Sequence, residues 1–493
     1  SLVQKLEDGQ VRGGGPQAGC WAYTVTGGIG GGDHSNGQFA VLGLFEAANA
    51  GISVSRTTWE LAESHWRNTQ NADGGWGYSA NQGNSSIGSM TVAGIASLVM
   101  TTAMLQKDDD LDSGGNPDCC KLQKPDVELQ RALSWLRNRF SVGSNPGSGA
   151  WPLYYLYGVE RAGRLSGQRF FGEHDWYRKG ARFLVERQNL QSGMWQGQNS
   201  EPVNTSFALL FLSKGLAPVV INKLQFATKS ADSMAWDRHH YDIRNLTDRI
   251  TGSERWPKLL TWQVVNMETV RDHGTVADLN MAPIVYLSSA ERPEFTDREV
   301  DLLKQHVNLG GFILAVNNCQ KTDFRDGVFE LVERMYPEGE ARLEKLKPTH
   351  PIYQSEYPLD GSTVELWGAD FGCRTAIVYA PDDLACLWNR WSRLDPPNRS
   401  ADFKLRVERS MRIGMNIVAY ATGREPVSKL KRAELAAEED KSVTIRRGLL
   451  QVAQVRHIGG WNTASHAARN LMVALNRTVG MAARTEPGTV TLS

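Results

Sequence analysis

Three groups of residues in this 493-residue chain are of types that do chemistry. The densest is Asp108-Asp109-Asp110 with Asp112. Among apolar neighbours such a cluster can keep one carboxyl protonated as a strong acid; in a polar loop it is solvated or binds calcium. Here SGGNPDCC follows it between helical segments, which points to the loop. The second group is polar and aromatic: Asp33, His34 and Asn36 precede one helical stretch, Glu160 and Arg161 follow YYLYG, and His174, Asp175, Trp176 and Tyr177 begin another stretch. Brought together, they would line a pocket for a partly apolar ligand. Kept apart, Asp33 or Asn36 caps the helix from Gln38, Asp175 caps the helix around Lys179, and Glu160 pairs with Arg161 in the core. The third group is Asn317, Asn318, Cys319 and Asp323, where the apolar run GFILAVNNC ends. The carboxyl end of a buried strand is where α/β sheets bind ligands, and Cys319 there is a candidate nucleophile.

Composition narrows the classes of function. The 54 basic and 54 acidic residues cancel, so no global field attracts nucleic acid. The six cysteines contain no CxxC pair and no histidine at zinc-finger spacing, so neither a disulfide framework nor a structural metal is expected, and nothing calls for a cofactor. No uninterrupted apolar run reaches membrane-spanning length. The first residues lack the charged and apolar regions of a signal peptide, but Ser1 is not Met, so removal of an N-terminal address and an envelope location are compatible with the chain.

The elements that must position these residues show in a repeat. KGARFLVERQNLQSGMW places Gln188, Gly193 and Trp195 after an amphipathic helix; WELAESHWRNTQNADGGWGY does the same with Gln70, Gly75 and Trp76. LVQKLEDGQ…GCWAY repeats it with Gln10 and Trp21, and ALSWLRNRF…GAW is a weaker copy with Arg139 and Trp151. Small-residue apolar helices alternate with these from Gln38, Ser89 and Asn204, with Gly51 and Gly215 as helix-ending residues. The pattern is one of helical hairpins in which a glutamine amide satisfies exposed backbone and a tryptophan covers it.

The Lys179–Trp195 segment resembles the QW motif of squalene-hopene and oxidosqualene cyclases, whose fold is an α/α toroid. GDHSNGQFAVLGL, YYLYGVERAG, FGEHDWYRKGARFLVERQ and NTSFALLFLSKG are similar to bacterial, planctomycete-type prenyltransferase and squalene-oxidase repeat proteins. The resemblance covers about residues 1–217 and implies an incomplete ring, because about seven helices are visible where a closed toroid implies about twelve. It also implies tests of activity that the sequence does not meet. A cyclase DxDD acid is not found in the right context, the zinc triad of protein prenyltransferases is not recognisable around Asp33 and His34, and the thioester sequence GCGEQ is absent around Cys20.

After the polar bridge at 218–255, short apolar runs alternate with amphipathic helices. LLTWQVV, APIVYLSS, GFILAVNNC and TAIVYA read as strands. FTDREVDLLKQHVNLGG, capped by Thr296 and ending at Gly310, reads as a helix, as do VFELVERMYP and FKLRVERSMRIGMNIVAYATG. LLTWQVVN, DLNMAPIVYLS, GGFILAVNNC, THPIY and PDDLACLW resemble the family called domain of unknown function 4159, considered similar to class I glutamine amidotransferases. That likeness implies a flavodoxin-like domain over 256–425 and a GxCxG nucleophile elbow, which Asn-Asn-Cys-Gln does not supply. Residues 426–493 read as a charged helical connector and the opening of another α/β copy, because Arg469-Asn470-Leu471 repeats Arg244-Asn245-Leu246. On this reading TVTLS is a first strand, and the chain is cut at both ends. The expectation is an α plus α/β protein, an incomplete toroid followed by a parallel-sheet domain, acting as a non-catalytic binding or scaffold protein for an apolar or isoprenoid-like ligand or a protein partner. The alternative is an isoprenoid-modifying enzyme.

Overall fold

The computed structural model describes residues 1–24, 31–79, 84–105, 117–120, 126–213, 217–230, 234–257, 259–372, 374–393, 399–423, 453–456, 468, 471–472 and 488–491. Asp108, Asp109, Asp110 and Asp112, Gly215, Cys373 and the charged run 425–442 lie outside the described residues. The chain forms two compact units, residues 1–425 and 426–493.

The first half supplies eight helices among the described residues: α1 (Leu2–Asp8), α2 (His34–Asn49), α3 (Arg56–Asn68), α4 (Gly88–Leu105), α5 (Val127–Arg139), α6 (Pro152–Ser166), α7 (Trp176–Arg187) and α8 (Glu201–Ser213). The even-numbered helices pack side by side in the order α2, α4, α6, α8, and the odd-numbered ones lie against them as a second layer. Against the expectation that no apolar run reaches membrane-spanning length, helix α4 is apolar and long enough to cross a membrane; it is enclosed by α2, α3, α5 and α6, which marks it as a core helix.

The Gln and Trp repeats hold this stack together. The Trp21, Trp76 and Trp195 indoles donate to the carbonyls of Leu6, Trp66 and Leu184 at 2.7, 2.9 and 2.8 Å. Each of those carbonyls lies four residues before the repeat's glutamine, where the last turn of a helix leaves it without an intrahelical donor. Gln10, Gln70 and Gln188 in turn donate to Gly19, Gly74 and Gly193 at 3.3, 2.9 and 2.8 Å. The first two glutamines reach further, to Thr58 O in α3 at 3.0 Å and Glu128 O in α5 at 2.7 Å, so the first two hairpins are each tied to the next. Gly94 allows Trp76 to lie on α4: a β-carbon there would stand 2.5 Å from the ring. The weaker fourth copy is not a brace, since Trp151 is 45% exposed in a left-handed conformation and Arg139 lies over Trp135 instead.

The second half carries β1 (Val219–Gln225), α9 (Asp242–Thr251), β2 (Thr261–Asn266), α10 (Met267–His273), α11 (Val276–Leu279), β3 (Ile284–Ser289), α12 (Asp297–Asn308), β4 (Phe312–Asn317), α13 (Thr322–Met335), β5 (Glu344–Lys345), β6 (Trp367–Phe371), β7 (Arg374–Ala380), α14 (Leu384–Arg390) and α15 (Ala401–Ala421). The seven strands form one sheet in the order β2-β1-β3-β4-β7-β6-β5, parallel from β2 to β7 and antiparallel beyond. Strands β1, β3 and β4 are buried along nearly their whole length, as a parallel sheet covered on both faces requires. Thr296 caps α12 in a capping box and Gly310 takes φ +98° after it, as the sequence indicates.

Two expectations are corrected here. The stretch 218–255 is not a bridge: it contains β1, inside the sheet, and α9. Asn222 and Lys223 interrupt the apolar run of β1, so its burial is invisible in the pattern. The cysteines also do form a disulfide, Cys119–Cys386, across 267 residues. Its spacing carries no signature, because the fold and not the local sequence brings the two α-carbons to 5.5 Å.

The disulfide is one of several links between the helices and the sheet. Arg169 N donates to Val264 O at 2.9 Å, so the loop after α6 covers the outer edge of β2. The buried Arg169 guanidinium also bridges Asp175 at 2.8 Å and Asp278 at 3.3 Å. In the unit 426–493, β8 (Ala453–Arg456) and β9 (Gly488–Thr491) form a parallel pair, the same arrangement as β1 with β2.

Candidate functional site at the carboxyl edge of the sheet

The chain passes from β1 to β2 on one side and from β3 to β4 on the other, so the strand order reverses between β1 and β3. The carboxyl ends of the strands beside such a reversal are separated by a crevice, because the crossovers leave in opposite directions. A cleft of about 760 Å³ lies there, lined by Gln225, Phe226, Asn266, Arg292, Phe295 and Glu299 among others. Its arginines are held by carboxylates at its rim: Arg292 pairs with Glu330, Arg334 with Asp297 at 2.7 Å, and Arg271 with Glu299 at 3.5 Å.

Lys223, itself fully buried, projects from β1 into a polar network. Its three ammonium donors meet three acceptors: Asp237 Oδ1 at 2.7 Å, Asp242 Oδ1 at 2.7 Å and His239 O at 2.9 Å. Tyr286 OH donates to Asp242 Oδ2 at 2.8 Å, and His240 Nδ1 lies 2.6 Å from Asp237 Oδ2. Burial alone would raise the Asp237 carboxyl, but Lys223 and His240 outweigh it and hold it well below the usual carboxylate range. Burial likewise opposes the charge on Lys223, while Asp237 and Asp242 keep it above its ordinary value. Burial and the neighbouring Asp242 charge push the Tyr286 phenol well up.

Asp383 connects this network to the end of β4. Its Oδ2 accepts from Cys319 N at 2.9 Å and lies 3.1 Å from His239 Nε2, while Oδ1 accepts from Cys386 N at 2.9 Å and so caps α14. Cys319 adopts φ 59° and ψ 17° between β4 and α13. The backbone thus makes a tight turn between strand and helix at Asn318, Cys319 and Gln320, with positive φ at Cys319 and Gln320 and no glycine. The thiol in that turn is not an activated one: burial, Cys120 and Asp383 push it up to about 12 against the opposing pull of Arg238. Asn317 Nδ2 donates to Tyr379 OH at 2.9 Å and to Lys321 O at 3.0 Å. The Asn318 side chain is fully buried with no hydrogen-bond partner for its amide.

Of the four strand-end candidates, Asn317, Asn318 and Cys319 therefore come together, and Asp323 does not: it is exposed on the first turn of α13. Lys223, Asp237, His239, Asp242 and Asp383 were missed as a site by sequence reasoning. A lysine inside VVINKLQ and the His239-His240 pair are the signals that could have found it.

The polar and aromatic set in the helical half is split by the fold. Asp33 caps α2, accepting from Asn36 N at 2.9 Å and Asn36 Nδ2 at 2.7 Å. His34 is buried, bonded to Gly77 O at 2.7 Å and Thr69 Oγ1 at 3.0 Å, with its ring stacked on Trp66. Glu160 lies 3.8 Å from Arg164, whereas Arg161 donates to Gln38 Oε1 at 2.5 Å, so the two neighbours on α6 engage different residues. Asp175 caps α7 and binds Arg169; Trp176 and Tyr177 donate to Gln168 O and Leu212 O; His174 Nδ1 faces Lys179 Nζ at 2.7 Å. A cleft of about 440 Å³ there is lined by Asp175, Lys179, Thr269, His273 and Asp278, on the seam with the sheet and not around Arg161.

Arg161 stands out. Its guanidinium is buried, pulled down by burial, and lies 4.2 Å from the centre of the Tyr157 ring and 5.4 Å from that of Phe39. Nε and one terminal nitrogen, Nη1, have no hydrogen-bond partner. Tyr154, which accepts from Gln38, and Phe207 complete the surround, and Phe39 is 44% exposed at its rim.

Burial and the nearby His34 ring also pull His65 down to about 3. A histidine with a folded pKa below its unfolded value of about 6.5 loses stability as pH falls, because the unfolded chain takes up a proton that the native ring refuses. The loss begins as pH drops through that unfolded value and stops growing near 3. At pH 5, roughly 2 kcal/mol of destabilisation relative to neutral pH is expected from His65. Urea unfolding at the two pH values should show a correspondingly smaller acid loss in His65→Gln, and an unchanged loss would dismiss His65 as its source.

A family model described as Domain of unknown function (DUF4159) matches residues 225–422, so a DUF4159 domain occupies the stretch from the last residue of β1 through α15. A comparison with curated proteins gives no match.

Proposed function

We propose that this chain is a non-catalytic binding protein. In this reading the helical half is an arc of a terpenoid-cyclase-like α/α toroid that receives a partly apolar, anionic small ligand at Arg161. The flavodoxin-like domain is a degenerate relative of the amidotransferase fold.

The observation that carries the proposal is the buried guanidinium with two unpartnered N–H groups inside an aromatic surround. Arginine stays protonated under physiological conditions, and a buried unsatisfied donor costs about 1–3 kcal/mol, more when it is charged. A carboxylate or phosphate meeting both donors would remove that cost through paired, charge-assisted hydrogen bonds. The rings around it would take an apolar tail. The titratable groups elsewhere support binding over chemistry: Lys223 is neutralised by two aspartates, the Cys319 thiol is held protonated, and Asp33 is committed to capping α2.

Titration calorimetry of the full chain with farnesyl diphosphate, oleate and farnesol tests this. The two anions should bind saturably and at least about tenfold more tightly than farnesol, a difference of about 1.4 kcal/mol. Arg161→Met should erase the difference while leaving the near-ultraviolet circular dichroism intact. Equal binding of anions and alcohol, or anion affinity unchanged in the variant, would remove the proposal. Turnover of farnesyl diphosphate would replace it with the isoprenoid-modifying reading.

A further inference from the structure

Four of the six cysteines meet where the helical half joins the carboxyl edge of the sheet. Cys119 is bonded to Cys386 on α14. Cys319 Sγ lies 3.4 Å from the carbonyl oxygen of Cys119, the group that forms the peptide bond to Cys120. Cys120, the next residue in the chain, and Cys319 are both free thiols, and Cys120 stands near enough to help push the Cys319 thiol up. Arg238 donates to Cys120 O at 3.0 Å, and Asp383 fixes both Cys319 N and Cys386 N at 2.9 Å. The backbone on either side of both pairs is therefore held by one carboxylate and one guanidinium.

We infer that Cys120 and Cys319 are a dithiol redox site that closes a second disulfide, parallel to Cys119–Cys386, with a low-molecular-weight disulfide as oxidant. Cys120 is exposed and Cys319 only partly so, which sets the order of events. The Cys120 thiolate attacks oxidised glutathione, forming a mixed disulfide and releasing one glutathione thiolate. The Cys319 thiolate then attacks the Cys120 sulfur and expels the second. One protein S–S bond forms, one glutathione S–S bond breaks, two electrons pass to glutathione, and the two thiol protons end on the released thiolates.

The second step needs ionised Cys319, and burial beside Cys120 and Asp383 resists that ionisation. Closure should therefore accelerate as pH rises across the neutral and mildly alkaline range. Once closed, the bond would fasten the turn after β4 to the segment carrying Cys119 and Cys120, over Asn318.

The test incubates the full chain in graded mixtures of reduced and oxidised glutathione, quenches with acid, alkylates, and maps peptides without reduction. With increasing oxidised glutathione, Cys120 and Cys319 should leave the alkylated pool together and appear in one cross-linked species. In Cys319→Ser, Cys120 should instead accumulate as the glutathione adduct. The wild-type result stands alone if that variant fails to fold, and Cys120→Ser, at an exposed position, supplies the reciprocal case by leaving Cys319 alkylatable. The inference is overturned if both thiols stay free at high oxidised glutathione, if wild-type Cys120 holds glutathione while Cys319 remains alkylatable, or if the reduced chain binds one equivalent of zinc that protects both.

Discussion

Replacing Lys223 with methionine is expected to cost about 3–5 kcal/mol of folding stability, enough to unfold many domains outright. The ammonium group is enclosed, and its partners Asp237 and Asp242 have side chains 4% and 0% exposed. Methionine fills much of the same volume, so the loss comes from two carboxylates left in a low-dielectric interior without their cation. Two further results separate this account from a packing defect. In the wild type, the depressed Asp237 contributes stability above the ordinary carboxylate range that is lost as pH falls through its folded value. In Lys223→Met the Asp237 carboxyl loses the largest charge that holds it down, so acidification from neutral to mildly acidic pH should cost the variant less stability than the wild type. Adding Asp237→Asn and Asp242→Asn should recover part of the loss at neutral pH. Guanidinium unfolding curves at two pH values decide it: a loss below about 1 kcal/mol, or one that acid deepens, would show that the network is not what holds β1 in place.

The second large effect is expected from the Cys119–Cys386 bond. Reducing it, or substituting Cys119→Ala with Cys386→Ala, should remove about 3–5 kcal/mol. A cross-link spanning 267 residues closes a long loop and greatly restricts the unfolded chain. It joins the segment before α5 to α14, so its loss should loosen the seam between helices and sheet before either core. Thermal unfolding with and without a phosphine reductant reads the effect. The reduced wild type and the double variant should coincide, and a midpoint indifferent to reductant would refute the stabilising role.

The parts of the fold that local sequence encodes were legible, and those that depend on distant pairing were not. Gln188 and Trp195 are seven residues apart in a repeating frame, and a brace between a helix end and its following loop is a local object. Thr296 and Gly310 likewise announce the two ends of α12. Strand β1 was hidden because its buried lysine reads as a surface residue unless its two aspartates, 14 and 19 residues further on, are known to return to it. At the site, Cys319 was visible as a cysteine ending a buried strand. Asp383, 64 residues away, was visible only as half of an acidic pair, and nothing in its surroundings shows that it holds the Cys319 amide. The polar set from Asp33 to Tyr177 was open to both readings: helix caps and seam ion pairs have the same composition as a pocket, and only the packing of α6 and α7 tells them apart.

The reach of Gln10 to α3 and of Gln70 to α5 has a consequence for how the helical half can change length. The first two units latch onto their successors through one amide each, and among the described residues Gln188 closes on its own loop. The stack therefore behaves as a one-dimensional array, with a stability made of unit energies plus nearest-neighbour couplings. Its final unit presents Leu209 and Leu210, both about half exposed, on the flank of α8. Insertion or loss of a whole hairpin would shift the total by one unit and one coupling, leaving the remaining junctions in register.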